Sequence, residues 1–220
     1  KALDAAGRPS FALRAERVFD GEGFLRDRIV VVRGEHIADL TRDLPSDTDV
    51  IHLPPGTILA PGFVDVQVNG GGGILFNNDP SPNGIARIAA AHRRLGGTTS
   101  FLPTLISDTR PVIQAAIAGI SEAISVGVPG VLGIHLEGPF LSPLRPGIHD
   151  PARLAQFEPS DVELLTSLGD RGLTLVTVAP EVLPPGAISS LVARGALVSA
   201  GHTADDGSAI RDALDAGLSG

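Results

Sequence analysis

The sequence predicts an α/β protein built on a parallel sheet, preceded by a small all-β unit. Three observations carry this. From residue 63 onward, strand-like apolar runs alternate with helix-like stretches, which is the signature of parallel βα units. Between residues 11 and 53, short β-rich runs and turns occur with no helical stretch. Polar side chains suited to chemistry recur at the C-terminal ends of the expected parallel strands, where ligands sit in such folds.

In the first region, Phe11 to Phe19 and Ile29 to Val32 read as short strands. Asp20-Gly21-Glu22-Gly23 and Arg33-Gly34-Glu35 read as turns between them. A small separate sheet is expected here. Pro54-Pro55-Gly56 and Pro61-Gly62 mark its exit. Strands are then expected at 63–69, 98–105, 131–137, 173–179 and 196–202. Helices are expected at 83–95, 109–125, 161–168, 187–194 and 205–216. Ser160 and Glu163 have capping-box spacing for the third helix. A closed (β/α)8 barrel needs eight such units, whereas an open doubly wound sheet is complete with five. The pattern alone leaves both open.

Composition narrows the function classes. Hydrophobic residues make up 43% and charged residues 19% of the 220, which favours a buried core over disorder. The net charge is −8 and no Lys/Arg run occurs. Nucleic acid and anionic membrane surfaces, which need a basic footprint, are therefore not expected as partners. Cysteine is absent, so there is no disulfide and no thiolate metal site, as fits a cytoplasmic protein. No apolar run approaches the ~20 residues that span a bilayer, and Lys1-Ala2-Leu3-Asp4 lacks a signal-peptide core. The Ala, Gly, Arg and Asp bias suggests a GC-rich bacterial genome.

The strand ends carry the functional argument. In "HLEGPF", Glu137 closes an apolar run and meets a Gly-Pro turn. Such a carboxylate can be a solvated loop group or a cap partner. His202 ends the strand "ALVSAGH". A lone strand-end histidine is more often a hydrogen-bonded structural residue. Both lie at C-terminal strand ends, however, so they should converge on one rim. Carboxylate with imidazole suits Zn²⁺ or Fe²⁺. In Phe63 to Asn69, Val64, Val66 and Val68 share one face, while Asp65, Gln67 and Asn69 share the other. In a barrel those polar residues point into the lumen. Gly70 to Gly73 allow close backbone approach to a ligand. His135 reads as a satisfied core histidine and His92 as a surface one. His36 and His52 fall in the β unit, and Glu181 is a competing strand-end carboxylate.

Taken in order, these residues resemble the amidohydrolase superfamily and, within it, the N-acetylglucosamine-6-phosphate deacetylase family. The matching stretches are "LAPGFVDVQVNGGGG" (59–73), "TTSFLPTLIS" (98–107), "GIHLEGPFLSPLRPGIHDP" (133–151), "VAPE" (178–181) and "VSAGHT" (198–203). The resemblance implies a (β/α)8 TIM-type barrel of amidohydrolase kind with about five of its βα units here. Residues 1–57 would be part of a small β-sandwich domain, and residues 58–220 the first part of the barrel. It implies Glu137 and His202 as two metal ligands, and Ile148 and His149 as a pair contacting the sugar. Gln67 and Asn69 stand where many amidohydrolases have His-x-His for a second metal. That implies one divalent transition metal, Zn²⁺ or Fe²⁺, and leaves both amides as substrate-facing groups, since amide oxygens are weak ligands beside imidazole.

The implied activity of the complete protein, expected as a homodimer, is deacetylation of a phosphorylated amino sugar, N-acetylglucosamine 6-phosphate. A third ligand histidine and a general-base aspartate would lie beyond Gly220, so the 220-residue chain alone is expected to be inactive. Alternatives are an amidohydrolase acting on a cyclic amide or on N-acetylgalactosamine 6-phosphate, and a silent fragment serving as an interaction module. The reading frame after Gly220 would separate these.

Overall fold

The computed structural model of the chain describes residue 7, residues 10–44 and residues 48–220. Of the span 1–57, residues 1–6, 8–9 and 45–47 lie outside the described residues. The chain divides into two compact units, one ending at Pro61 and the other beginning at Gly62.

The first unit holds seven short strands among its described residues: β1 Ser10–Arg14, β2 Arg17–Phe19, β3 Phe24–Arg26, β4 Ile29–Arg33, β5 His36–Thr41, β6 Asp49–His52 and β7 Ile58–Leu59. They form two sheets, ordered β5-β4-β1-β6 and β3-β2-β7, where the sequence predicts one. The run 11–19, expected as a single strand, breaks at Ala15-Glu16, and its halves enter different sheets. Ala12, Ile29 and Val31 form this unit's buried cluster. The expected turn at 20–23 is built by Asp20, whose Oδ1 accepts the Glu22 and Gly23 amides at 2.9 and 2.8 Å. The Phe19 and Phe24 rings then close the hairpin at 5.2 Å.

The second unit alternates as expected: β8 Phe63–Val68, a small hairpin β9 Gly70–Gly71 and β10 Ile74–Leu75, α1 Pro82–Gly96, β11 Thr98–Ile106, α2 Arg110–Ser125, β12 Gly133–Glu137, α3 Pro159–Leu165, β13 Leu173–Val178, α4 Ala187–Ala193, β14 Leu197–Ala200 and α5 Ser208–Asp215. The large sheet is ordered β14-β13-β12-β11-β8, and every pairing in it is parallel. Each new strand joins beside the previous one. A doubly wound sheet would reverse direction at a switch point. This progression is that of a barrel, and the five strands form a curled half-barrel.

Alternation along the strands sorts the side chains. Ile134 and Leu136 of β12, and Val176 and Val178 of β13, enter the apolar cluster with Ile113, Ile117 and Ile120 of α2. His135, Glu137 and Thr177 fall on the opposite, lumenal face by period two. β8 is an edge strand, and its valine face is largely open. Val64 is 61% and Val66 51% exposed; only Val68 is buried.

Several boundaries differ from expectation for local reasons. α3 begins at Pro159, whose fixed φ suits the first helical position. Its cap is therefore Glu158, not Ser160. Asp161 Oδ2 reaches back to accept the Glu158 amide at 2.8 Å, the part expected of Glu163. α5 begins at Ser208 rather than 205, because Asp205 lies in the cap. Its carboxylate accepts the Gly207, Ala209 and Ile210 amides at 2.7–3.1 Å. β14 ends at Ala200, two residues short of His202. Among the described residues no helix is long and apolar enough to cross a membrane.

Candidate metal centre

Glu137 is the last residue of β12, on the lumenal face and only 7% exposed. Three side chains converge on its Oε1. Gln67 Nε2, from β8, donates to it at 3.1 Å. His202 Nε2 lies 3.1 Å away and His149 Nε2 3.8 Å away. Ligand atoms of Glu137, His149 and His202 all fall within 4.8 Å of one another. The two groups that the sequence places at separate strand ends are thus brought together. His149 then His202 hold the Glu137 carboxyl down to about 2, against the burial that pushes it up.

Backbone partners fix different roles for the two histidines. His202 Nδ1 faces the Arg145 carbonyl at 3.0 Å. A carbonyl only accepts, so Nδ1 carries the proton and the Nε2 lone pair faces Glu137. Two acceptors 3.1 Å apart require something positive between them, either a second proton or a cation bonded to both. Tetrahedral ligands on bonds near 2.0–2.1 Å stand about 3.3 Å apart, so this pair fits a divalent cation. His149 is arranged the other way. The Ser107 amide donates to His149 Nδ1 at 3.1 Å, and the Ser107 hydroxyl adds a 2.7 Å contact. An amide N–H only donates, so Nδ1 is the acceptor and Nε2 bears the hydrogen. That Nε2 is buried and has no hydrogen-bond partner among the described residues, Glu137 Oε1 being 3.8 Å away. His149 is therefore built as a hydrogen-bond donor aimed into the site, although distance alone would admit it as a third ligand.

Two glycines make room for this arrangement. A Cβ at Gly147, at φ +57, would lie 2.8 Å from His202 Cε1, and one at Gly138, at φ +83, would overlap Ser107 Oγ. The His202 backbone itself is left-handed, at φ 50. Neither Ser107 nor Arg145 stands out in the sequence. Arg145 acts through its carbonyl and Ser107 in part through its amide, and backbone atoms leave no mark on residue type.

The remaining candidates separate. Asn69 follows β8, and its Nδ2 is buried without a partner. Ile148 is 84% exposed on the loop that carries His149. His135 is buried and fully bonded, with Nδ1 on the Val66 carbonyl at 2.9 Å and Nε2 on the Thr177 hydroxyl at 2.8 Å. Burial lowers its pKa. His92, expected at the surface, is half-buried. Its Nε2 donates to the Gly70 carbonyl at 2.9 Å, and Arg87 donates to the Gly72 carbonyl at 3.0 Å. The glycine run approaches α1 closely: a Cβ at Gly71 would lie 2.9 Å from the His92 ring. His36 and His52 lie in β5 and β6 of the first unit. Glu181 is not in the three-residue group. Burial raises its pKa, but bonds from Thr203 and Ala204 outweigh that and lower it overall.

No family model matches the chain. It is 44% identical over 183 residues to the N-acetylgalactosamine-6-phosphate deacetylase of Shewanella sp. (strain ANA-3), covering 83% of this chain and 45% of that protein. It is 41% identical over 169 residues to the human N-acetylglucosamine-6-phosphate deacetylase, covering 74% of this chain and 41% of that protein. The crystal structure of N-acetylglucosamine-6-phosphate deacetylase from Pasteurella multocida superposes with a TM-score of 0.89 at 28% identity, over 96% of this chain and 55% of that one. The chain spans about half the length of the relatives it matches. By sequence and by fold, it belongs to the N-acetylglucosamine-6-phosphate deacetylase family, matching the N-terminal part of its members.

Proposed function

We propose that the full-length protein removes acetate from N-acetylglucosamine 6-phosphate with one divalent metal, Zn²⁺ or Fe²⁺, held in part by Glu137 and His202. The observation that carries this is the facing pair of acceptors, Glu137 Oε1 and His202 Nε2, 3.1 Å apart at a barrel strand end. When bound, a divalent cation supplies Lewis-acid polarisation of an amide carbonyl and acidifies water. Glu137 contributes a full negative charge and His202 a neutral nitrogen. The Arg145 carbonyl orients that nitrogen, as carbonyls commonly do for ligating imidazoles. His149 donates its unpaired Nε2–H to a substrate oxygen, and the buried Asn69 amide offers a second donor. Gln67, bonded to Glu137, stands where a second metal would need imidazole, which supports a single ion. Ile148 lies on the loop beside the substrate. In the net reaction, water's oxygen bonds to the acyl carbon, the C–N bond breaks, and a proton passes to the departing amine. The family resemblance assigns the general base to an aspartate beyond Gly220.

The C4 epimer, N-acetylgalactosamine 6-phosphate, is the second reading, favoured by the name of the Shewanella relative. The test is acetate release from both sugars by full-length protein, before and after chelation. Activity is expected to disappear with the metal and to return with about one equivalent of Zn²⁺ or Fe²⁺. Undiminished turnover by the stripped protein, or no release from either epimer, would contradict the proposal.

A further inference from the structure

Glu181 lies just past β13, in the single 3₁₀ turn Pro180–Val182. It stays outside the donor group around Glu137 and spends both carboxylate oxygens on the turn after His202. Oε2 accepts the Thr203 hydroxyl at 2.6 Å, and Oε1 accepts the Ala204 amide at 2.7 Å. Thr203 Oγ1 accepts the Asp205 amide at 3.0 Å, which ties the same turn to the cap of α5. On the other side of the histidine, the Gly201 amide donates to the Val178 carbonyl at 2.9 Å, and the Ser142 amide donates to the His202 carbonyl at 3.0 Å.

This grip meets a specific need. His202 has φ 50, in the left-handed region. A residue with a Cβ pays about 1–2 kcal/mol to stand there, so it persists only where its surroundings impose it. Relaxation of the backbone would swing the imidazole away from Glu137. Short charge-assisted bonds from a carboxylate to a hydroxyl and an amide are the strong kind. They bear on the two residues that directly follow His202.

We propose that Glu181 is a positioning residue for the metal centre: by clamping Thr203 and Ala204, it holds the His202 imidazole at Glu137. This rests on the reading of Glu137 and His202 as ligands, and it assigns Glu181 no contact with metal or substrate.

The test is the Zn²⁺ dissociation constant of the full-length protein, measured by competition with a chromophoric chelator well below the melting temperature. Glu181→Ala should weaken Zn²⁺ binding by about 10–100-fold, the usual effect of losing an outer-shell partner. Glu181→Gln keeps an acceptor for the Ala204 amide and should recover most of that loss. Thr203→Val removes one of the two bonds and should fall between. A merely structural role would lower the melting temperature of the metal-free variants and leave Zn²⁺ affinity of the folded protein unchanged. A Glu181→Ala protein binding Zn²⁺ within about twofold of wild type therefore overturns the proposal, whatever its activity. If Glu181→Ala does not fold, unchanged affinity in Thr203→Val does the same. Glu137→Gln and His202→Gln serve as controls. If both bind Zn²⁺ like wild type, the ligand assignment fails and the clamp fails with it. If both lose it while the Glu181 and Thr203 variants do not, only the clamp fails.

Discussion

His202 and His149 face the same carboxylate with opposite hydrogen-bonding character, and in each case a backbone group sets it. The Arg145 carbonyl leaves His202 a free lone pair at Nε2; the Ser107 amide leaves His149 a free N–H. Their losses should therefore differ. His149→Ala is expected to lower turnover of the full-length enzyme by about a hundredfold, the cost of one preorganised donor, with Zn²⁺ affinity changed less than about tenfold. Steady-state rates beside chelator competition check this. A His149→Ala protein that loses Zn²⁺ as completely as His202→Gln would make His149 a ligand. At this scale the sequence was informative about side chains and silent about backbone. Glu137 and His202 were singled out because a carboxylate and an imidazole end two runs of one parallel pattern. The Arg145 carbonyl and the Ser107 amide were not, because any residue type supplies an amide or a carbonyl.

Among the helices, α2 and α3 are joined by one charged contact of good geometry. Arg110 Nε and its NH2 nitrogen meet Asp161 Oδ1 and Oδ2 at 2.7 and 2.8 Å, and the same NH2 nitrogen donates to the Gln156 carbonyl at 3.0 Å. The Asp161 side chain is 1% exposed and that of Arg110 36%. Asp161 also caps α3. Breaking a fully buried pair costs roughly 3–5 kcal/mol; with the arginine partly in water, about 2–3 kcal/mol is expected for Asp161→Ala. Urea unfolding of the full-length protein measures it, and a loss under about 0.5 kcal/mol would show that the pair is dispensable. The sequence located α3 but misplaced its cap, since the serine at 160 fits the capping pattern as well as the acid at 161 does. What decides is Pro159, which takes the first helical position and moves the cap to Glu158. The glycine run after β8 shows the same limit of residue type. Glycine permits close approach, but its type does not say to what, and here the neighbour is α1.

Over the whole second unit, strand order is what sequence periodicity left undecided. Five βα units satisfy a barrel or a doubly wound sheet equally, and the family resemblance favoured the barrel. The observed progression from β8 through β11, β12 and β13 to β14 settles the topology. It also explains why Gln67, Glu137 and His202 meet, because strands that add in order around a curled sheet bring their C-terminal ends to one rim. β8 remains at an edge, with Phe63, Val64 and Val66 exposed. No pattern in β8 itself distinguishes an edge strand from a covered one, because alternation reports a buried face only where a neighbour is present.

The central claim is that a single metal ion sits between Glu137 and His202, with His149 beside it as a donor. Anomalous diffraction at the zinc or iron absorption edge, on crystals of the full-length protein, tests it most directly. One peak per chain is expected, about 2.0–2.2 Å from a Glu137 carboxylate oxygen and from His202 Nε2, with His149 Nε2 outside bonding distance. Two peaks per chain, a peak bonded to His149, or no peak between Glu137 and His202 in protein that releases acetate would contradict it.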